Sequence, residues 1–202
     1  MPLWLAPSSL VLASKSPARR SLLEAAGLPL EIVPANLDER AIEADAGIVE
    51  PGQVAKLLAR EKARAVAAKK PGRFVLGADQ TLSLGERRFS KASDRAGARI
   101  QLVALRGRTH MLHSAVAVAR DGNVLFEHGE AARLTMRAFS DDFLESYLDT
   151  VGAAAFASVG GYQLEGPGIQ LFDKVEGDHS TILGLPLLPL LAWLRELGLL
   201  AK

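Results

Sequence analysis

Apolar and polar positions alternate along the chain in two rhythms, one of short continuous apolar runs and one of apolar residues at helical spacing. Leu10–Ala13 is an uninterrupted apolar run and predicts a buried strand. Pro17–Gly27 predicts a helix that Ser16 caps, that Pro17 opens and that Gly27 stops. Leu30–Pro34 predicts a second short strand, and Asn36–Ala46 reads as an acidic, irregular stretch. From Pro51 to Lys70, Val54, Leu57, Leu58, Ala65 and Val66 recur at helical spacing until Pro71-Gly72 ends the longest helix. Phe74–Ala78 predicts a further buried strand, Gly85–Lys91 a polar turn and Arg95–Leu105 a helix.

The rhythm then changes. Thr109–Arg120 and Asn123–Arg137 are rich in β-formers and meet at Asp121-Gly122, a strong hairpin signal. Ser140 caps a helix running to Asp149, with acidic residues in its first turn. Gly152–Gly168 reads as loop with short strand pieces, Ile169–Val175 as a strand and Leu185–Leu200 as a closing helix with proline at its start. Strands and helices that alternate around a central hairpin predict an α/β fold with a mixed sheet. No repeat, low-complexity tract or linker interrupts the 202 residues, so a single domain over 1–202 is expected.

Composition narrows the classes. Hydrophobic residues make up 49% and charged residues 23%, enough for a packed core and against disorder. A formal net charge of +1 and only 5% aromatic residues argue against a protein that coats nucleic acid. The absence of cysteine excludes disulfides, thiol catalysis and thiolate zinc sites. Met1–Ser9 has no positive n-region, so no signal peptide is expected. Leu183–Leu194 is broken by Gly184, Pro186 and Pro189 and is too short to span a bilayer. A cytoplasmic protein without a membrane partner is expected.

Ser14-Lys15-Ser16-Pro17-Ala18-Arg19-Arg20 is the segment richest in chemistry. A strand that ends in hydroxyls and a helix that starts with two arginines suit an anion, because free N–H groups and the positive dipole end point at it. The same residues also fit a capped helix with a solvated basic first turn. Asp79 follows Gly77-Ala78 at the end of an apolar strand, where open sheets place site residues. It can bind a hard cation, take a proton from water, or simply close a turn. Asp38-Glu39 can hold Mg²⁺ beside phosphates or lie solvated in an acidic loop. Lys62 and Lys91 can each reach a phosphate or form surface pairs. The glycine-rich segment Gly160–Gly168 lacks the lysine and spacing of a Walker loop, and within it Glu165 is placed to accept from base N–H groups. His110, His113, His128 and His179 have no metal-ligand spacing.

Taken together, Leu12-Ala13-Ser14-Lys15-Ser16-Pro17-Ala18-Arg19-Arg20-Ser21-Leu22-Leu23 resembles the signature of the Maf family of nucleotide pyrophosphatases. The resemblance continues in order through Asp38-Glu39, Glu61-Lys62-Ala63, Gly77-Ala78-Asp79, Lys91, Gly107-Arg108-Thr109-His110, Gly166 and Gly184-Leu185-Pro186. It implies a two-lobed α/β fold related to inosine-triphosphate pyrophosphatases, with a mixed central sheet and a cleft. It implies hydrolysis of nucleoside triphosphates to monophosphate and pyrophosphate with Mg²⁺ or Mn²⁺. Asp79 would be the proton acceptor, Glu39 and Asp79 the metal ligands, and Ser14, Arg19, Lys62 and Lys91 the phosphate ligands. The family also implies a homodimer and a link to septum formation.

Ala18, Gln80 and Glu165 depart from the dTTP/UTP-hydrolysing pattern of Arg, Thr and Gln at these places. Gln80 and Glu165 resemble instead the branch acting on 7-methyl-GTP, although that branch often carries an aromatic residue where Ala18 stands. Ala157-Ser158-Val159-Gly160 replaces the family's Asp-Lys-Ala-Gly, and Ala92 its proline after Lys91. The alternatives to a 7-methyl-GTP pyrophosphatase are a dTTP/UTP enzyme and a non-catalytic nucleotide-binding regulator of cell division.

Overall fold

The structure, a computed structural model, describes residues 2–202. Its elements in chain order are β1 (Leu10–Leu12), α1 (Pro17–Ala25), β2 (Leu30–Ile32), α2 (Glu39–Ala46), α3 (Pro51–Ala67), β3 (Val75–Leu84) and β4 (Arg87–Phe89). There follow α4 (Arg95–Leu105), β5 (Thr109–Arg120), β6 (Asn123–Met136), α5 (Asp141–Val151), β7 (Phe172–Glu176), α6 (His179–Ile182) and α7 (Leu187–Glu196). The strands pair in the order β2-β1-β3-β5-β6-β7, with β4 on β3. β1 pairs in parallel with β2 and β3, whereas β4 and β7 pair antiparallel with their neighbours, so the α/β fold with a mixed sheet is as expected.

The chain divides into two compact units. The first comprises residues 1–80, 113–130 and 178–202, and the second 81–112 and 131–177. In the first unit the alternation of strand side chains builds a core on each face of the sheet. On one face Leu10, Leu12, Leu76, Ala78, Val116 and Val118 pack with Leu23 of α1 and with Leu190 and Leu194 of α7. On the other, Val11, Ala13, Val75, Ala115, Ala117 and Ala119 meet Ala55, Ala59, Ala63 and Val66 of α3. Small residues line this second face, and they let α3 lie very close to the sheet. At Gly77 the approach is closest: a Cβ there would stand 2.1 Å from the Ala59 carbonyl oxygen and 2.6 Å from the Ala63 nitrogen.

In the second unit α4 and α5 are tied by Arg95 to Glu145 and Asp149 and by Arg99 to Glu145. Gly160 and Gly161 take successive left-handed conformations, φ +89° and +80°, which glycine alone adopts without strain. They bring Tyr162 inward, where its hydroxyl meets His110 Nε2 at 2.7 Å.

Three stretches differ from expectation. The acidic segment 36–46 is irregular only at its start, because Asp38 caps α2 by accepting from the Ala41 amide and Gly47 ends it at φ +63°. Residues 152–168 contain no strand pieces. A 3₁₀ turn spans Gly152–Phe156 and another Pro167–Leu171. The strand predicted to stop at Ala78 runs on to Leu84 and turns back as β4 within the segment read as a polar turn.

Candidate functional site

The first unit holds seven of the expected site residues: Ser14, Ala18, Arg19, Glu39, Lys62, Asp79 and Gln80. Ser16 caps α1 by accepting from the Arg19 amide, and its own amide donates to Ser14 Oγ at 3.2 Å. Arg19 does not point to solvent as a first-turn arginine would. Its Nε donates to the Gly184 carbonyl at 2.8 Å, and its Nη1 to the Ala78 carbonyl at 2.9 Å and Ser14 Oγ at 3.2 Å. Burial pulls the guanidinium below its ordinary pKa, and the nearby carboxylates of Asp79 and Glu39 oppose that pull.

On the opposite face of β3, Lys62 and Asp79 are each only 8% exposed. Lys62 Nζ donates to Asp79 Oδ1 at 2.6 Å and lies 2.8 Å from Glu39 Oε1. The sequence left Lys62 open between a surface pair and a site role, and the structure buries it against Asp79. Leu58, Lys62 and Val66 share the buried face of α3 at helical spacing, a signal already present in the chain. Gly77 makes the contact possible, because only a residue without a side chain lets α3 come near enough for the ammonium to reach Asp79. Desolvation pushes the Asp79 carboxyl above its ordinary range, with the Lys62 and Arg19 charges opposing and Glu39 adding to the rise.

Two hard oxygen donors, Asp79 Oδ1 and Glu39 Oε1, thus converge on one point now held by an ammonium. That donor set fits Mg²⁺ or Mn²⁺, which take one or two carboxylates and complete their shell with water and phosphate oxygens. Among the described residues no group of three or more His, Cys, Asp or Glu is placed to form a fully protein-made cage.

Gln80 stands one residue beyond Asp79, half-buried and on the other face of the strand. Its Nε2 donates to Ser114 Oγ and the Ile182 carbonyl, both at 2.9 Å, with the Thr181 carbonyl at 3.3 Å. Ala18 is half-buried in the first turn of α1. Lys91 and Glu165 belong to the second unit and are exposed, Glu165 just before the 3₁₀ turn that Pro167 opens. Sequence reasoning did not find the contributions of Ala78 and Gly184, whose parts are played by backbone carbonyls. It also missed Ser114, Thr181 and Glu130, which no motif marked. Among the described residues no helix is long and apolar enough to cross a membrane.

The family model for Maf-like protein matches residues 9–197. A protein of Rhodopseudomonas palustris (strain BisB5) named nucleoside triphosphate pyrophosphatase is 58% identical over 200 residues, covering 99% of each chain. One of the same name from Nitrobacter winogradskyi is 55% identical over the whole of both chains. A protein of Mesorhizobium japonicum named 7-methyl-GTP pyrophosphatase is 56% identical, covering 94% of this chain and 96% of its own.

Proposed function

The chain belongs to the Maf-like protein family, and from that premise we propose that it is a nucleoside triphosphate pyrophosphatase. It cleaves a triphosphate between the α-phosphorus and the bridging oxygen, with water as the attacking group and monophosphate and pyrophosphate as the products. The observation that carries this reading is the buried Lys62–Asp79 pair at 2.6 Å, with Glu39 on the same ammonium. A carboxylate, a second carboxylate and a cation at one point are what phosphoanhydride hydrolysis needs.

Each residue has a physical task in this reading. Arg19, Lys62 and Lys91 hold phosphate oxygens, Arg19 from a guanidinium already fixed by backbone carbonyls. Ser14 and the amide end of α1 add neutral donors. Asp79 accepts the proton of the attacking water. Its burial raises its basicity toward the range in which a general base works near neutral pH. Glu39 and Asp79 are the ligands for Mg²⁺ or Mn²⁺. When bound, such an ion neutralises phosphate charge and acidifies water.

The favoured substrate is 7-methyl-GTP. Its guanine presents N1–H and a 2-amino group, which one carboxylate accepts together. N7 methylation makes the base cationic, a further match to a carboxylate. Glu165, exposed on its loop, supplies that group. The name borne by the Mesorhizobium relative supports the same choice.

The test is pyrophosphate release from 7-methyl-GTP, GTP, dTTP, UTP and CTP with Mg²⁺ or Mn²⁺, for the wild type and Asp79→Asn. Release by the wild type and its loss in Asp79→Asn support the enzyme, and a preference for 7-methyl-GTP supports the substrate. A preference for dTTP or UTP removes the substrate reading but keeps the enzyme. No release from any triphosphate removes both.

A further inference from the structure

Two cations act on Asp79, Lys62 and Arg19, and they are held in different ways. Arg19 is fixed by the backbone: its Nε donates to the Gly184 carbonyl and its Nη1 to the Ala78 carbonyl. The turn that carries Gly184 is itself held, because Ser114 Oγ donates to the Thr181 carbonyl at 2.7 Å and the Thr181 hydroxyl to Glu130 Oε2 at 2.6 Å. Lys62 is held by side chains instead. Its Nζ meets Asp79 Oδ1 at 2.6 Å and Glu39 Oε1 at 2.8 Å, the second on a side chain 46% exposed. The close contact of α3 with Gly77 fixes the backbone beneath Lys62, so any movement of the ammonium falls to its flexible four-carbon stem.

The two oxygens that hold the ammonium are those that suit a divalent ion. Mg²⁺ stands about 2.0–2.1 Å from its oxygen ligands. An ion on the same two oxygens therefore lies within about 5 Å of an ammonium bonded to both. Repulsion at that range is strong where water is scarce. The balance of charge points the same way. The carboxylates of Asp79 and Glu39 face the cations of Lys62 and Arg19, and the four charges cancel. A divalent ion added alone leaves the group doubly positive. An ion that arrives with phosphates brings compensating charge, and the phosphates offer the ammonium a new partner.

We propose that Lys62 is an exchangeable counter-ion for the carboxylates of Asp79 and Glu39. Its ammonium resists a divalent ion that comes alone, and it yields both oxygens readily when a phosphate chain receives it. Phosphate and ion thereby bind cooperatively, each tightening the other by the same factor. This inference rests on the reading of Asp79 and Glu39 as the metal ligands.

Two measurements on the full chain test it, neither of them activity. The first is calorimetric titration with Mn²⁺ alone of the wild type and Lys62→Met. Because the competitor is gone, the variant is expected to bind Mn²⁺ about 10-fold or more tightly than the wild type. The second needs no variant and serves if Lys62→Met does not fold. Lysines of the wild type are acetylated with acetic anhydride and read one by one by mass spectrometry, with the exposed Lys69 as internal reference. Saturating Mn²⁺ is expected to raise the labelling of Lys62 about 5-fold or more, and inorganic tripolyphosphate added to the same sample to lower it again. Labelling separates displacement of the ammonium from a mere effect of its charge on affinity. Equal Mn²⁺ affinity in the two proteins, binding of Mn²⁺ by neither, or labelling of Lys62 that Mn²⁺ leaves unchanged overturns the proposal. The enzymatic reading fails separately. Exchange without pyrophosphate release from any triphosphate removes the enzyme and keeps the counter-ion, whereas metal-dependent release without exchange does the reverse.

Discussion

Lys62 Nζ and Asp79 Oδ1 lie 2.6 Å apart, each residue nearly closed to solvent, with no side chain at Gly77 between the helix and the strand that carry them. Removing one partner of such a pair leaves the other charge in a poorly solvated place, which costs far more than a surface ion pair. Lys62→Met is expected to lower kcat/KM by about 100-fold or more. Its stability deficit has a defined pH dependence. Without the ammonium, the folded pKa of Asp79 rises further above the unfolded value. The carboxylate therefore destabilises the fold increasingly as pH climbs from the unfolded pKa through the folded one. Urea unfolding should show a deficit of about 3 kcal/mol at pH 8 that shrinks at pH 5. A deficit of equal size at both pH values would show that the ammonium is not what keeps Asp79 ionised.

Gly77→Ala tests the close approach itself. The added carbon would meet two backbone atoms of α3, the Ala59 oxygen and the Ala63 nitrogen, and neither can rotate away. The helix must move outward, and Lys62 moves with it. A destabilisation of about 3 kcal/mol is expected, together with a loss of pyrophosphate release in whatever protein remains folded. Full activity in a stable Gly77→Ala variant would separate the contact from the chemistry.

These two positions also show what could be read before the structure and what could not. Ser16, Pro17, Asp121-Gly122 and Ser140 marked their elements because capping and turn chemistry is local: the side chain that marks the end also makes the bond. The helix α2 escaped because no residue in it is buried, so no apolar stripe announces it. Lys62 stayed ambiguous because Arg60-Glu61-Lys62 reads as a charged surface run, although Leu58 and Val66 flank it on the buried face. Arg19 stood out as a candidate anion ligand from its place after Pro17. Its two anchoring carbonyls were not legible, because a backbone acceptor carries no side-chain signal and Gly184 is 165 residues away in the chain. The network of Ser114, Thr181 and Glu130 is invisible for a related reason. Ser, Thr and Glu are common surface residues, and only the fold shows Ser114 and Thr181 sealed from solvent.

Glu39→Gln should separate metal holding from fold. The Glu39 side chain is 46% exposed, so its bond to Lys62 contributes little to stability, within about 0.5 kcal/mol. Loss of one hard ligand weakens a site that has only two carboxylates to offer. The Mn²⁺ concentration giving half-maximal pyrophosphate release is expected to rise about 10-fold, with most of kcat regained at saturation. An unchanged Mn²⁺ dependence would take Glu39 out of the ligand set.

Arg19→Lys keeps the charge but not the fork. A guanidinium donates to Gly184 through Nε while Nη1 serves Ala78 and Ser14, and one ammonium cannot bridge those directions. At least one carbonyl then loses its donor. The expected outcome is a kcat/KM reduced about 10- to 100-fold with the base preference unchanged. Tripolyphosphate binding, measured by calorimetry, should weaken in parallel. Restoration of wild-type rates by lysine would mean that charge alone, and not its aim, is what α1 contributes.

His110 gives the fold a dependence on acid that is independent of the site. It lies in the second unit, 1% exposed, its Nε2 on the Tyr162 hydroxyl and its rings flanked by Tyr162 and Phe172. Its Nδ1 is buried without a hydrogen-bond partner among the described residues. Burial pushes the imidazole pKa down to about 4 from the usual 6.5. A depressed histidine pKa means that, between these values, the unfolded chain binds a proton that the folded chain refuses. Stability is therefore fully present above pH 6.5 and falls as pH drops toward 4. From pH 7 to pH 5 the loss attributable to His110 is about 2 kcal/mol. His110→Gln retains an amide for Tyr162 and cannot titrate. Its urea midpoint should start lower at pH 7 and change less than the wild type's on going to pH 5. Parallel declines in the two proteins would assign the acid sensitivity to other groups.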